Sequence, residues 1–148
     1  ERAAIAAQYF GPADRILDLG SGLLKVSMHL RSGNVYTPVD LVRYSQFTIL
    51  ADLNDGGFPE GEWDCALALE LFEHIHDVPK LLVQIRSVAD RLVCTYCCLE
   101  DVGDLTERRE RGYFNDFRRA ELQSSFMAAG WQVIVGDADE RQSIFVCE

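Results

Sequence analysis

The residues able to do chemistry fall into a glycine turn, a series of acids at the ends of apolar runs, and one histidine-containing segment. Asp18-Leu19-Gly20-Ser21-Gly22 closes a short apolar run and leads into a helix-like stretch. Its glycines let backbone pass close to a ligand, and the amides of a helix start favour an anionic group. Asp40 stands twenty residues after Gly20, a spacing from which a carboxylate reaches ribose hydroxyls. Asp52 ends a third run, and Glu70, Glu73, His74 and His76 crowd behind a fourth. Carboxylates and imidazoles are the usual proton carriers, and histidine changes charge near neutrality. Each acid alone reads equally well as a helix cap or a solvated loop residue. Three at successive strand ends are harder to dismiss.

Other polar clusters point to less. Cys94, Cys97 and Cys98 have no second pair at zinc-site spacing, and Cys65 and Cys147 stand alone in apolar runs, so no metal site is expected and the thiols read as buried and reduced. Arg108, Arg109, Arg111, Arg118 and Arg119 are interspersed with Glu107 and Glu110, which reads as a solvated face rather than an anion site. With 24 acidic against 14 basic residues the formal net charge is −10. That balance weighs against nucleic acid as a partner. No apolar run is long enough for a membrane span, and no signal-peptide layout opens the chain. A cytoplasmic location is therefore expected.

The elements that must position these residues alternate in type. Glu1 to Phe10 is helical in character, and Gly11-Pro12 ends it. Strands are expected at Arg15 to Leu19, Asn34 to Asp40, Thr48 to Ala51, Trp63 to Leu69 and Arg91 to Leu99. Pro38 is uncomfortable in a central strand. A helix is expected from Leu23 to Arg31 with Leu23, Val26, Ser27 and Leu30 on one face, and another begins at an Asp77 cap with Pro79 in its first turn. A polar connection of roughly fifteen residues follows Leu99, a length that suggests function. Asp116 then reads as the cap of a last helix with Leu122, Phe126 and Ala129 facing inward, and Trp131 to Val135 pairs with Gln142 to Cys147 across a turn at Gly136 to Glu140. The pattern predicts one α/β domain over residues 1–148, either trimmed at its start or a piece cut from a longer chain. Its doubly wound, mostly parallel seven-stranded sheet should carry a C-terminal antiparallel hairpin at its edge.

Ile16-Leu17-Asp18-Leu19-Gly20-Ser21-Gly22 resembles motif I of class I S-adenosylmethionine (SAM) dependent methyltransferases, a Rossmann-like family. Val39-Asp40-Leu41 is similar to that family's ribose-binding acid, and Ala51-Asp52-Leu53 to its adenine-contacting element. Trp63-Asp64 through Glu70-Leu71-Phe72-Glu73-His74-Ile75 matches the segment leaving the fourth strand, and Glu121 to Trp131 the last helix and the start of the terminal hairpin. The likeness spans nearly the whole chain. It implies SAM as cofactor, bound by Asp18, Gly20, Ser21, Gly22, Asp40, Leu41, Asp52, Leu53 and Glu70, with Glu70 and His74 as candidate catalytic residues and no metal. Tyr113, Phe114 and Asn115 fall where such enzymes meet the acceptor, although Phe114 and Phe117 could equally anchor their loop to the core.

Two positions depart from the family pattern. Leu24 replaces a frequent third glycine, either crowding the methionine end of the cofactor or packing the helix on the sheet. The segment between Asp52 and Trp63 is too short for the usual helix, which leaves the adenine side open. The resemblance implies methyl transfer to oxygen or nitrogen of a small molecule or sugar. Leu105 to Trp131 is similar to methyltransferase-like domains of bacterial polysaccharide-building proteins, which favours a glycan acceptor. The alternative is a methyltransferase-fold module that binds without turnover. Nicotinamide chemistry is disfavoured, since no third glycine follows Gly22 at fingerprint spacing.

Overall fold

In the computed structural model, which describes residues 2–139 and 142–148 (backbone alone for 135–139), seven strands form one sheet. They are β1 (Arg15–Leu19), β2 (Val35–Asp40), β3 (Ile49–Leu50), β4 (Trp63–Leu69), β5 (Ala89–Tyr96), β6 (Val133–Asp139) and β7 (Gln142–Cys147), in the spatial order β3-β2-β1-β4-β5-β7-β6. The first five run parallel, and β7 pairs antiparallel with both β5 and β6. After β3 the chain crosses to the far side of β1, so the carboxyl ends of β1 and β4 form the crevice where such sheets receive ligands. The expected α/β sheet with its antiparallel hairpin is the one observed.

Alternation along the central strands separates two cores. Leu17, Leu19, Ala66, Ala68, Leu92, Cys94, Phe145 and Cys147 face the layer of α2 (Val78–Arg86) and α4 (Arg119–Ala128), together with Leu81, Leu82, Ile85, Leu122 and Phe126. Ile16, Cys65, Leu67, Val93, Ile144 and Val146 face α1 (Arg2–Ala6) and a 3-10 turn at Lys25–His29. Burial on both faces is why these strands read as unbroken apolar runs. All five cysteines are buried and free, and burial pushes the thiols of Cys65, Cys98 and Cys147 up to about 12. They are poor nucleophiles at neutral pH.

Several sequence expectations need correction. The first helix is only Arg2–Ala6, Glu1 lying outside the described residues. The Leu23 to Arg31 helix is instead the short 3-10 turn, entered through Leu24 in the left-handed region (φ 57°), and Leu23 is 71% exposed rather than on an inner face. β3 has two residues because it pairs only with Val39 and Asp40. Pro38 is tolerated because that pairing starts one residue beyond it. β5 ends at Tyr96, and the polar connection contains a helix, α3 (Leu105–Glu110), capped by Asp104 accepting the amides of Thr106 and Glu107. Asp116 caps nothing: α4 starts at Arg119, its entry held by Glu121 accepting the Arg118 amide. β6 continues to Asp139 through most of the turn expected at Gly136 to Glu140, and Glu140 and Arg141 lie outside the described residues.

The β3 side is sparsely covered. No helix is formed between β2 and β3 or between β3 and β4, which agrees with the short segment noted after Asp52. Leu41, Phe47, Ile49 and Leu50 consequently remain exposed. No helix among the described residues is long and apolar enough to cross a membrane.

Candidate active site

Two clefts open at the carboxyl ends of β1, β2 and β4. The larger, about 500 Å³, is lined by Arg2, Asp18, Gly20, Ser21, Gly22, Lys25, Glu70 and His74 among others. The smaller, about 230 Å³, is lined by Gly20, Asp40, Leu41, Asp52, Leu53, Asn54, Glu70, His74 and Ile75 among others. Gly20, Glu70 and His74 belong to both, so the clefts adjoin there. Asp18, Gly20, Ser21, Gly22, Asp40, Leu41, Asp52, Leu53, Glu70 and His74 each line one cleft or both, whereas Glu73 and His76 line neither.

The glycine turn is held by Asp40. Gly20 and Gly22 adopt φ values of 71° and 49°, conformations that glycine enters without strain. The Gly20 and Ser21 amides donate to the Val39 carbonyl, while Asp40 Oδ2 accepts the Gly22 amide at 2.8 Å and Oδ1 accepts that of Val42 at 3.0 Å. Ser21 Oγ is buried with no hydrogen-bond partner among the described residues. An orphaned hydroxyl beside a cleft is a group a ligand can satisfy. Leu24 does not line either cleft, so its cost is in backbone conformation and not in space for a ligand.

Asp18 lies in the interior, 2% exposed, and accepts the Tyr36 hydroxyl. Burial pushes its carboxyl up to about 7, against the lowering effect of that hydrogen bond. Asp52 forms a tight loop: Oδ1 accepts the Asn54 amide, and its carbonyl accepts Asp55 and Gly57. Asn54, which the sequence did not suggest, reaches across to clasp the histidine segment, donating to the His74 carbonyl and accepting the His76 amide.

Glu70 directly follows β4 in the left-handed region at φ 56°, its amide donating to Thr95. Its Oε1 accepts the Tyr113 hydroxyl at 3.0 Å and its Oε2 meets the Arg2 guanidinium at 2.6 Å. His74 Nδ1 lies 3.0 Å from the Gly112 carbonyl, and its ring meets that of Tyr113 edge to face at 5.4 Å. A carbonyl only accepts, so Nδ1 carries a proton, and in the neutral imidazole Nε2 carries the lone pair. Glu73 is fully buried: Oε1 accepts the Cys97 amide at 2.7 Å, Oε2 has no partner among the described residues, and burial pushes the carboxyl up to about 7. His76 is exposed and rests against Phe114. Phe114 is 60% exposed and so does not anchor its loop, a task that falls to half-buried Phe117 against Tyr96.

The arginine cluster is where sequence reasoning failed. Arg108 is fully buried, not part of a solvated face. Arg109 pairs with Asp116, and Arg111 with Glu107. Arg109 and Arg108 together hold the Asp116 carboxyl down at about 2. Asp104 followed three residues later by Glu107 is a helix-start pattern that marks α3 in the sequence and would have placed Arg108 on a packed helix.

A doubly wound sheet with an acid and glycine turn after β1, an acid after β2, and a Glu-Leu-Phe-Glu-His segment after β4 defines a methyltransferase fold. Residues 2–135 match the sequence profile of the methyltransferase domain family, and the chain belongs to that family. An S-adenosylmethionine dependent methyltransferase from Mesorhizobium loti superposes with a TM-score of 0.77 at 12% identity, covering 99% of this chain and 97% of that one. A SAM dependent methyltransferase from Aquifex aeolicus gives 0.74 at 16% identity, covering 98% and 88%. The N-terminal domain of EvdMO1, solved in the presence of S-adenosylhomocysteine (SAH) and D-fucose, gives 0.70 at 15% identity, covering all of this chain and 83% of that one. No curated protein sequence matches the chain significantly.

Proposed function

We propose that this domain transfers a methyl group from SAM to an oxygen or nitrogen of a small molecule or sugar. The observation that carries the reading is the meeting of two clefts at Gly20, Glu70 and His74, with the unpartnered Ser21 hydroxyl beside the larger. The residues fit the cofactor: Asp40 would take the ribose, Leu41, Asp52 and Leu53 the adenine, and Asp18, Gly20, Ser21 and Gly22, with Glu70, the amino-acid end. When bound, SAM supplies an electrophilic methyl on a sulfonium. What remains for the protein is alignment and one proton. His74 fits the proton's acceptor, since its Nδ1–H is engaged by Gly112 and its Nε2 lone pair is left for an acceptor hydroxyl or amine. Glu70, tied to both Arg2 and Tyr113, fits a role in holding the boundary between the clefts. A sugar acceptor is supported by the fold shared with EvdMO1, whose structure was determined in the presence of D-fucose.

Calorimetric titration of SAM into the protein tests this. Saturable heat that disappears in Asp40→Ala is expected. No heat at millimolar SAM, or heat with a nicotinamide dinucleotide in its place, sinks the proposal and leaves a fold without this activity.

A further inference from the structure

We propose that Arg108 is a positioning residue, holding His74 and Glu70 in place through a strap formed by residues 112–116. Each of its five guanidinium hydrogens finds an acceptor. Nε donates to Asp116 at 2.7 Å, Nη1 to the carbonyls of Cys97 at 2.7 Å and Val102 at 3.3 Å, and Nη2 to the Asn115 carbonyl at 3.0 Å and the Tyr96 hydroxyl at 3.3 Å. Its charge also lies over the Tyr113 ring, 5.2 Å from the centroid. One side chain thus joins Cys97, just past β5, to Tyr113, Asn115 and Asp116 of the strap.

The strap in turn fastens the segment 70–75 at almost every residue. Gly112 accepts from His74 Nδ1, the Tyr113 hydroxyl donates to Glu70, the Phe114 amide donates to the Glu73 carbonyl at 2.8 Å, and Asn115 Nδ2 donates to the carbonyls of Phe72 and Ile75 at 2.7 and 2.9 Å. Burying a guanidinium is costly, and an apolar residue of similar volume often serves stability as well. What an apolar residue cannot do is direct five hydrogen bonds at fixed carbonyls. Arg108 therefore acts on the imidazole's tautomer at a distance: it fixes the strap at Tyr113, Asn115 and Asp116, and the adjoining Gly112 carbonyl stands where only an Nδ1–H can meet it.

The catalytic consequence rests on the methyltransferase reading, but the tautomer is measured without cofactor or acceptor, so loss of either conclusion is visible separately. The experiment records imidazole nitrogen NMR of neutral His74 in the wild type, Arg108→Lys and Asp116→Asn, with circular dichroism to confirm folding. Lysine keeps the charge but not the planar fork. The wild type is expected to carry its proton on Nδ1, and both folded variants to move toward the Nε2–H form that free imidazole favours. Hydrogen-exchange protection of the Phe114 amide should fall about tenfold, the scale of one lost hydrogen bond. A folded variant that keeps the Nδ1 tautomer overturns the proposal. Should both variants unfold, the wild-type protein decides: Phe114 exchanging as slowly as the β5 amides supports it, and exchange as fast as an exposed loop overturns it.

Discussion

The Arg2 guanidinium meets Glu70 Oε2 at 2.6 Å, joining the first helix to the residue after the fourth strand in the lining of the larger cleft. Both side chains are partly solvent-exposed, so the pair contributes under about 1 kcal/mol to stability. Glu70 is costlier in its backbone than it is rewarding in its charge, because φ 56° is a conformation L-residues avoid. Glu70→Gly is therefore expected to be more stable than Glu70→Ala by about 1 kcal/mol, the reverse of the usual order within an element. Urea denaturation of the two variants measures this, and an alanine variant at least as stable as the glycine one refutes it.

Leu24 gives the same test without the chemistry. At φ 57° and away from both clefts, it should yield a Leu24→Gly variant more stable than Leu24→Ala by about 1 kcal/mol. The heat of SAM binding should be the same in both. A glycine variant with markedly tighter cofactor binding contradicts the view that Leu24 stays out of the larger cleft.

Asp18 and Glu73 make stability fall as pH rises. Both carboxyls are raised by burial to about 7 from ordinary values near 4, so between these limits the folded state holds protons that the unfolded chain has released. Their stabilising share is complete below pH about 4 and is lost as pH climbs through about 7. Glu73→Gln mimics the protonated acid, and is expected to flatten that slope and to gain on the order of 2 kcal/mol at pH 8. Thermal melts of the wild type and variant from pH 4 to 8 check it, and parallel curves are the contrary result.

The loop after Asp52 tolerates no side chain at Gly57. A Cβ there would stand 2.9 Å from the Asp52 carbonyl oxygen and 3.0 Å from its nitrogen, so the loop must shift. Gly57→Ala should cost about 1–3 kcal/mol as an overpacking change, and weaken SAM binding more than a denaturant-matched destabilised control. Equal effects would detach this loop from the site.

What could be read beforehand divides along physical lines. Strands buried on both faces announce themselves as apolar runs, and glycine and aspartate at strand ends have few alternative uses, so β1, β4 and the residues around the clefts were legible from Asp18 to His74. Arg108 was not, since alternating Arg and Glu look the same whether water or backbone carbonyls receive the hydrogens. Its acceptors, Cys97, Val102 and Asn115, become neighbours only after the chain has turned at residues 99–101 and 111–112. The Lys25–His29 turn was misread for a related reason. Its local pattern is helical, but Leu24 enters it from the left-handed region, which no side-chain periodicity reports.

The uncovered flank of β3 bears on how the protein behaves in bulk. Two pleated residues, Ile49 and Leu50, both exposed beside Phe47 and Leu41, form the kind of open margin along which copies of a chain adhere. A net charge of −10 keeps copies apart. That repulsion fades once salt shortens its reach to about 8 Å at physiological ionic strength. Dispersion of this protein is therefore a colloidal balance: dilute buffer should keep it monodisperse in light scattering, and concentrated salt should bring the flanks together.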